Sequence, residues 1–108
     1  MGEFAGTPSA VGMTAAASGS GDVAMVATTP GLRFVGFACQ ESAGSPAVAN
    51  FRLRHGAADS APILAPVELN SNESAREWWY PGVDAPNGIF LERTAGSTEV
   101  TVFHMVVR

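Results

Sequence analysis

Apolar and polar residues alternate in short runs along most of this chain. In Asn50-Phe-Arg-Leu-Arg54, Phe51 and Leu53 fall on one side while Arg52 and Arg54 fall on the other; Val67 and Leu69 flank Glu68, and Ile89 and Leu91 bracket Phe90. A period of two marks a half-buried strand, because successive strand side chains point to opposite faces. Turn-forming residues at 29–31, 43–46, 55–62, 70–72, 81–88 and 95–97 separate the runs. Intervals of about ten residues are those of short strands in a sandwich or barrel. Strands are predicted over 23–27, 32–41, 48–55, 63–69, 75–80, 89–93 and 99–107. No window carries a helical stripe of useful length, since Gly or Pro recurs every few residues. Ser74-Ala-Arg-Glu77 matches a capping box, but Pro81 leaves room for one helical turn only, so this segment is read as strand. The predicted fold is all-β, an antiparallel β-sandwich or jelly-roll-like domain over residues 23–108.

Two stretches depart from the alternation. Residues 1–22 are Gly, Ala, Ser and Thr, with Phe4, Val11 and Met13 as isolated apolar positions. Such a segment buries too little surface to offset its ordering entropy. It is read as an extended N-terminal arm whose Phe4, Val11 and Met13 dock on a partner. Deleting residues 1–20 is then expected to leave melting nearly unchanged. In 99–107, Val100 and Val102 supply the core face, whereas the other face starts polar with Glu99 and Thr101 and turns apolar at Phe103, Met105 and Val107. A strand apolar on both faces is covered on both. Phe103, Met105 and Val107 are therefore assigned to contact with the arm, a symmetry mate or another protein.

Composition narrows the function. The 108 residues carry ten carboxylates against six cations, all arginine, for a net charge of −4. That balance lacks the basic stripe that displaces counterions from nucleic acid and disfavours anionic lipid. No apolar run approaches the ~20 residues of a membrane helix. The N-terminal residues show no basic, then apolar, signal pattern, so synthesis in the cytoplasm is expected. A lone Cys39 in an apolar run is expected to be a small buried hydrophobe. His55 reads as a turn residue and His104 as a core-edge or interface residue; no spacing suits a metal. No nucleophile elbow or phosphate loop occurs. The chain is read as a non-enzyme with no cofactor and no metal.

Trp78, Trp79 and Tyr80 form the one local cluster with binding character. Adjacent strand residues point to opposite faces, so at least one ring leaves the core. Trp79 is assigned to a partner interface, where Trp and Tyr are enriched. Two alternatives stand beside it: Trp78 and Tyr80 close the end of the sandwich while Trp79 covers a loop, or an outward Trp stacks on sugar, which would make the chain a carbohydrate-binding module.

Gly31-Leu-Arg-Phe-Val-Gly-Phe-Ala-Cys-Gln-Glu-Ser-Ala-Gly44, Phe51-Arg-Leu-Arg-His-Gly56 and Pro62-Ile-Leu-Ala65 resemble a recurring small β-sandwich of tailed bacteriophages. So do the Glu-Trp-Trp-Tyr-Pro of 77–81, Asn87-Gly-Ile-Phe-Leu-Glu92 and Gly96-Ser-Thr-Glu-Val100. The resemblance spans roughly residues 23 to 107. It implies a virion structural protein of phages of high-GC hosts, of the head decoration (cement) type, located on the capsid outer surface. The implied partners are the major capsid protein and the chain itself, a homotrimer being one arrangement. A tail or baseplate component is the other virion role the resemblance allows.

Overall fold

A computed structural model describes residues 8–107, with the backbone alone described for 8–13. Among the described residues, eight strands follow one another without a helix: β1 (Pro8–Gly19), β2 (Val23–Val26), β3 (Leu32–Glu41), β4 (Ala49–His55), β5 (Ile63–Leu69), β6 (Ser74–Asp84), β7 (Ile89–Ala95) and β8 (Thr98–Val107). They form two four-stranded antiparallel sheets in the orders β1-β8-β3-β6 and β2-β7-β4-β5. The sheets pack face to face as a β-sandwich, the predicted fold class. Pairing runs first with last: β1 with β8, β2 with β7, β3 with β6 and β4 with β5. The chain is thus one long antiparallel ribbon folded over on itself.

The period-two positions make the core. Leu32, Phe34, Phe37 and Cys39 from β3 meet Phe51 and Leu53 from β4, Ala65 and Leu69 from β5, Ile89 and Leu91 from β7, and Val100 and Val102 from β8. Phe37 sets its edge against the ring of Phe51 at 6.3 Å, the preferred geometry of an aromatic pair. At the end of β3, Glu41 is buried and accepts hydrogen bonds from the N–H groups of Ala43, Gly44 and Asn72. The Asn72 N–H above all holds this carboxyl below the usual carboxylate range. One buried acid so clasps the turns after β3 and before β6.

The structure departs from the sequence reading at two strands. Pro8–Gly19, inside the segment read as an arm, is an edge strand along β8, with Ala15 opposite Val102 and Ala17 opposite Val100. Its ordering comes from outside itself. Buried Arg93 of β7 donates to the carbonyls of Ala17 (3.1 Å) and Gly21 (2.7 Å), and to the hydroxyl (2.9 Å) and carbonyl (3.0 Å) of Thr98. Asp22 in turn accepts the Arg93 backbone N–H at 3.0 Å. Arg93 thereby joins the two sheets along their β1 and β2 side.

The second departure is β6, which runs on through Asp84. Its ladder with β3 passes from Gly36–Trp78 to Phe34–Val83, so residues 79–82 bulge without partners on β3. Glycine permits this crossing. A Cβ on Gly36 would meet the Glu77 carbonyl oxygen at 2.2 Å, and one on Gly82 (φ +89°) would meet the Phe34 carbonyl oxygen and Val35 Cγ1 at 2.6 Å.

Candidate interaction surface

The two outer faces of the sandwich differ in chemistry. On the β2-β7-β4-β5 sheet, Glu92 is flanked by Arg54 (Nε to Oε1, 2.9 Å) and Arg52 (3.5 Å). Asn50, Glu68 and Thr94 make the rest of that neighbourhood polar. On the β1-β8-β3-β6 sheet, the Trp78 ring meets the edge of Phe103 at 5.7 Å. Val35 and Met105 are buried beyond the core between the sheets. A bulge on β3 between Phe34 and Gly36 turns Val35 out of the core register. Trp78 and Tyr80 are each 52% exposed, and Val83 is also exposed.

The residues assigned to a partner from sequence fall into distinct places. Phe4 lies outside the described residues, and of Val11 and Met13 only the backbone, in β1, is described. Trp79 turns back onto the core, edge-on to Phe34 at 5.4 Å and Phe37 at 6.0 Å, and closes the sandwich between β5 and β6. Met105 is 2% exposed within the chain itself. Phe103 is half-buried beneath Trp78, and Val107 is partly buried beside Gly31, whose carbonyl accepts its N–H at 2.8 Å. Among the assigned residues whose side chains are described, Phe103 joins an exposed aromatic surface formed with Trp78 and Tyr80, while Trp79 keeps 36% of its surface exposed at the β5–β6 side. Alternation along the strand carried that signal, since Trp79 inward places Trp78 outward.

The titratable groups occupy other positions. Cys39 is buried, with its thiol directed at the Ala75 carbonyl, and burial pushes its pKa up to about 11. The thiolate, which is the nucleophile, is therefore scarce at neutral pH. His55 Nε2 accepts the Asn87 N–H at 3.2 Å at a turn. His104 is buried on the core side of β8, where burial lowers its pKa, and its Nδ1 has no hydrogen-bond partner. Among the described residues, no three of His, Cys, Asp and Glu gather as metal ligands, and no helix is long and apolar enough to cross a membrane.

Fold and surface together define an antiparallel β-sandwich with one outer face built round the Arg52, Arg54 and Glu92 cluster and one that carries exposed aromatic rings beside the Arg33–Asp84 pair. No protein-family model and no curated protein matches the chain.

Proposed function

We propose that this chain is a non-enzymatic structural protein of a phage virion, a capsid decoration protein that binds the outer surface of the major capsid protein lattice and stabilises it. The observation that carries this reading is the contrast between the two outer faces. Arg52, Arg54 and Glu92 satisfy one another on one sheet, while Trp78, Tyr80 and Phe103 leave apolar area on the other. Apolar area removed from water contributes roughly 25 cal/mol per Å², and a protein repeated over a lattice gains that term at every joint. The strand order supports the same reading, because first-with-last pairing of eight strands in two sheets is what a jelly roll requires, and jelly rolls are an architecture of viral capsid domains. Fold alone does not assign a role; the aromatic face is what supports this one. The resemblance of residues 23–107 to phage decoration and tail proteins points the same way.

Mass spectrometry of purified virions tests it. A decoration protein is present in a copy number comparable to that of the capsid protein. A copy number of a few moves the assignment to the tail or baseplate, and absence from the particle ends it. Exposed Trp78 and Tyr80 also favour a second reading, stacking on sugar, which lectin-type jelly rolls make physically reasonable. Binding on a glycan array that is lost in Trp78→Ala would support that alternative, and an array without a binder would remove it.

A further inference from the structure

β6 ends its sheet, and among the described residues no strand lies on its outer side. The ladder on its inner side identifies the groups left free. Glu41 donates its N–H to the Glu73 carbonyl at 2.8 Å. Opposed residues of an antiparallel pair alternate between hydrogen-bonded and non-hydrogen-bonded. With Gln40 opposite Ser74 and Ala38 opposite Arg76, Glu73, Ala75 and Glu77 direct their backbone groups to β3. Ser74, Arg76 and Trp78 direct theirs away from the sandwich. Sheet edges of this kind are ordinarily blunted by lysine, inward charge or proline near their middle. Here the stretch from Ser74 to Tyr80 has no lysine and no proline; its one inward-face charge is Glu77, beside Trp79 over the groove between β5 and β6, and its outward face presents Trp78 and Tyr80. Arg33, Arg52, Arg54 and Arg93 all have internal partners, whereas Arg76 is exposed and, among the described residues, has no ion pair.

We propose that this edge pairs with the same edge of a second copy of the chain, antiparallel about a two-fold axis at Trp78, so that two four-stranded sheets become one continuous sheet. The occupant follows from the self-complementarity of Arg76-Glu-Trp-Trp-Tyr80. Centred on Trp78, the register sets the two Trp78 residues side by side and brings Arg76 of each copy across from Tyr80 of the other. Cross-strand aromatic pairs and a cation over an aromatic face are both favourable, and the isologous contact makes the second of them twice. The adjacent registers fail. Centring on Arg76 opposes two guanidinium groups, and centring on Glu77 opposes two carboxylates; like charges directly opposite destabilise a sheet. Centring on Trp79 or Tyr80 shifts the ladder further into the bulge at 79–82, of which the Trp78 register uses only Trp79 and Tyr80. This pairing concerns the protein in solution and does not depend on the virion reading.

Sedimentation equilibrium of the full chain tests the proposal. The mass should rise with concentration from 11.1 kDa to twice that value. Trp78→Lys should weaken the dimer by about tenfold or more, as loss of a central aromatic anchor does. Arg76→Pro removes an outward N–H without removing a bond to β3 and should weaken it similarly. Circular dichroism melts identify any variant that fails to fold. For that case Trp78→Cys gives an independent readout, because residues in a hydrogen-bonded antiparallel pair lie about 5.5 Å apart at Cα, within disulfide range. Mild oxidation should link Trp78→Cys into a dimer, while Glu68→Cys on the far edge should stay unlinked; the buried native thiol does not compete. A monomer at all concentrations, a three-copy mass, a dimer unaffected by Trp78→Lys, or unlinked Trp78→Cys would each overturn the assignment.

Discussion

Replacing Arg93 by Met tests whether a single buried guanidinium orders the N-terminal strand. Arg93 is 8% exposed and makes four side-chain hydrogen bonds, two to Thr98, one to Ala17 and one to Gly21. A hydrogen bond to a charged group contributes about 1.5–3 kcal/mol, but the four do not add at that value. Gly21 is exposed and Ala17 half-buried, so water replaces the lost donor at their carbonyls. Thr98 is fully buried, and leaving its acceptors unsatisfied costs about 1–3 kcal/mol each. Against this, the buried cation carries a desolvation cost, which also lowers its pKa, and Met recovers some of the packing. The net expectation is a loss of about 2–4 kcal/mol. At this chain length 1 kcal/mol corresponds to about 4 °C, so melting should fall by about 8–16 °C. Arg93→Lys keeps the charge but not the planar fork and should fall between. The assays are thermal unfolding followed by circular dichroism and hydrogen exchange over residues 14–22, where Arg93→Met should exchange faster. Melting within about 2 °C of the parent, with unchanged exchange in that segment, would refute the reasoning.

The same reasoning reverses the expectation for the N-terminus: removing residues 1–19 takes away β1, makes β8 the sheet edge and uncovers Val100 and Val102. The truncated chain should melt at least as far below the parent as Arg93→Met and self-associate, and a truncation that melts like the parent would show β1 to be dispensable. His104 supplies the pH dependence. Burial depresses its folded pKa, and an unfolded histidine titrates near pH 6.5, so below about that pH the unfolded state binds the proton first and stability falls until the folded pKa is reached. His104→Leu should flatten the loss of melting temperature between about pH 7 and 5; an unchanged slope would place the titrating group elsewhere.

Most of the sandwich was legible because its strands advertise themselves through large apolar residues. Leu32–Glu41 and Ile63–Leu69 have the bounds that alternation and flanking turns predict. β1 was not legible, although its alternation is real: Ala15, Ala17 and Gly19 are half-buried while Thr14, Ala16 and Ser18 are exposed. Residues this small carry too little hydrophobic contrast for the period to register. What holds β1 is the edge of β8 together with Arg93, which stands 71 or more residues away from its partners at Asp22 and Ala17. Local pattern does not encode such a contact. The aromatic triplet was half legible. Alternation required a ring on each face, but assigning Trp79 inward depended on the edges of Phe34 and Phe37, which only the packed sheets bring together.

The low charge of the chain takes its meaning from how the arginines are placed. Of the five among the described residues, Arg33 pairs with Asp84, Arg52 and Arg54 share Glu92, and Arg93 closes the β1 and β2 side of the sandwich. These four are engaged in holding the fold, and Arg76 is the one of the five whose side chain has neither an ion pair nor a hydrogen bond. The opposite side, between β5 and β6, has no such clasp. It is closed by Trp79 over a groove lined by Phe37, Leu64 and Val67, and beyond it stand Trp78, Tyr80 and the unpaired Arg76. The β6 edge, without lysine and flanked by exposed Trp78, Tyr80 and Val83, puts exposed apolar area and a spare cation in one place. Solvent is a poor partner for the first, and a second β6 edge satisfies both.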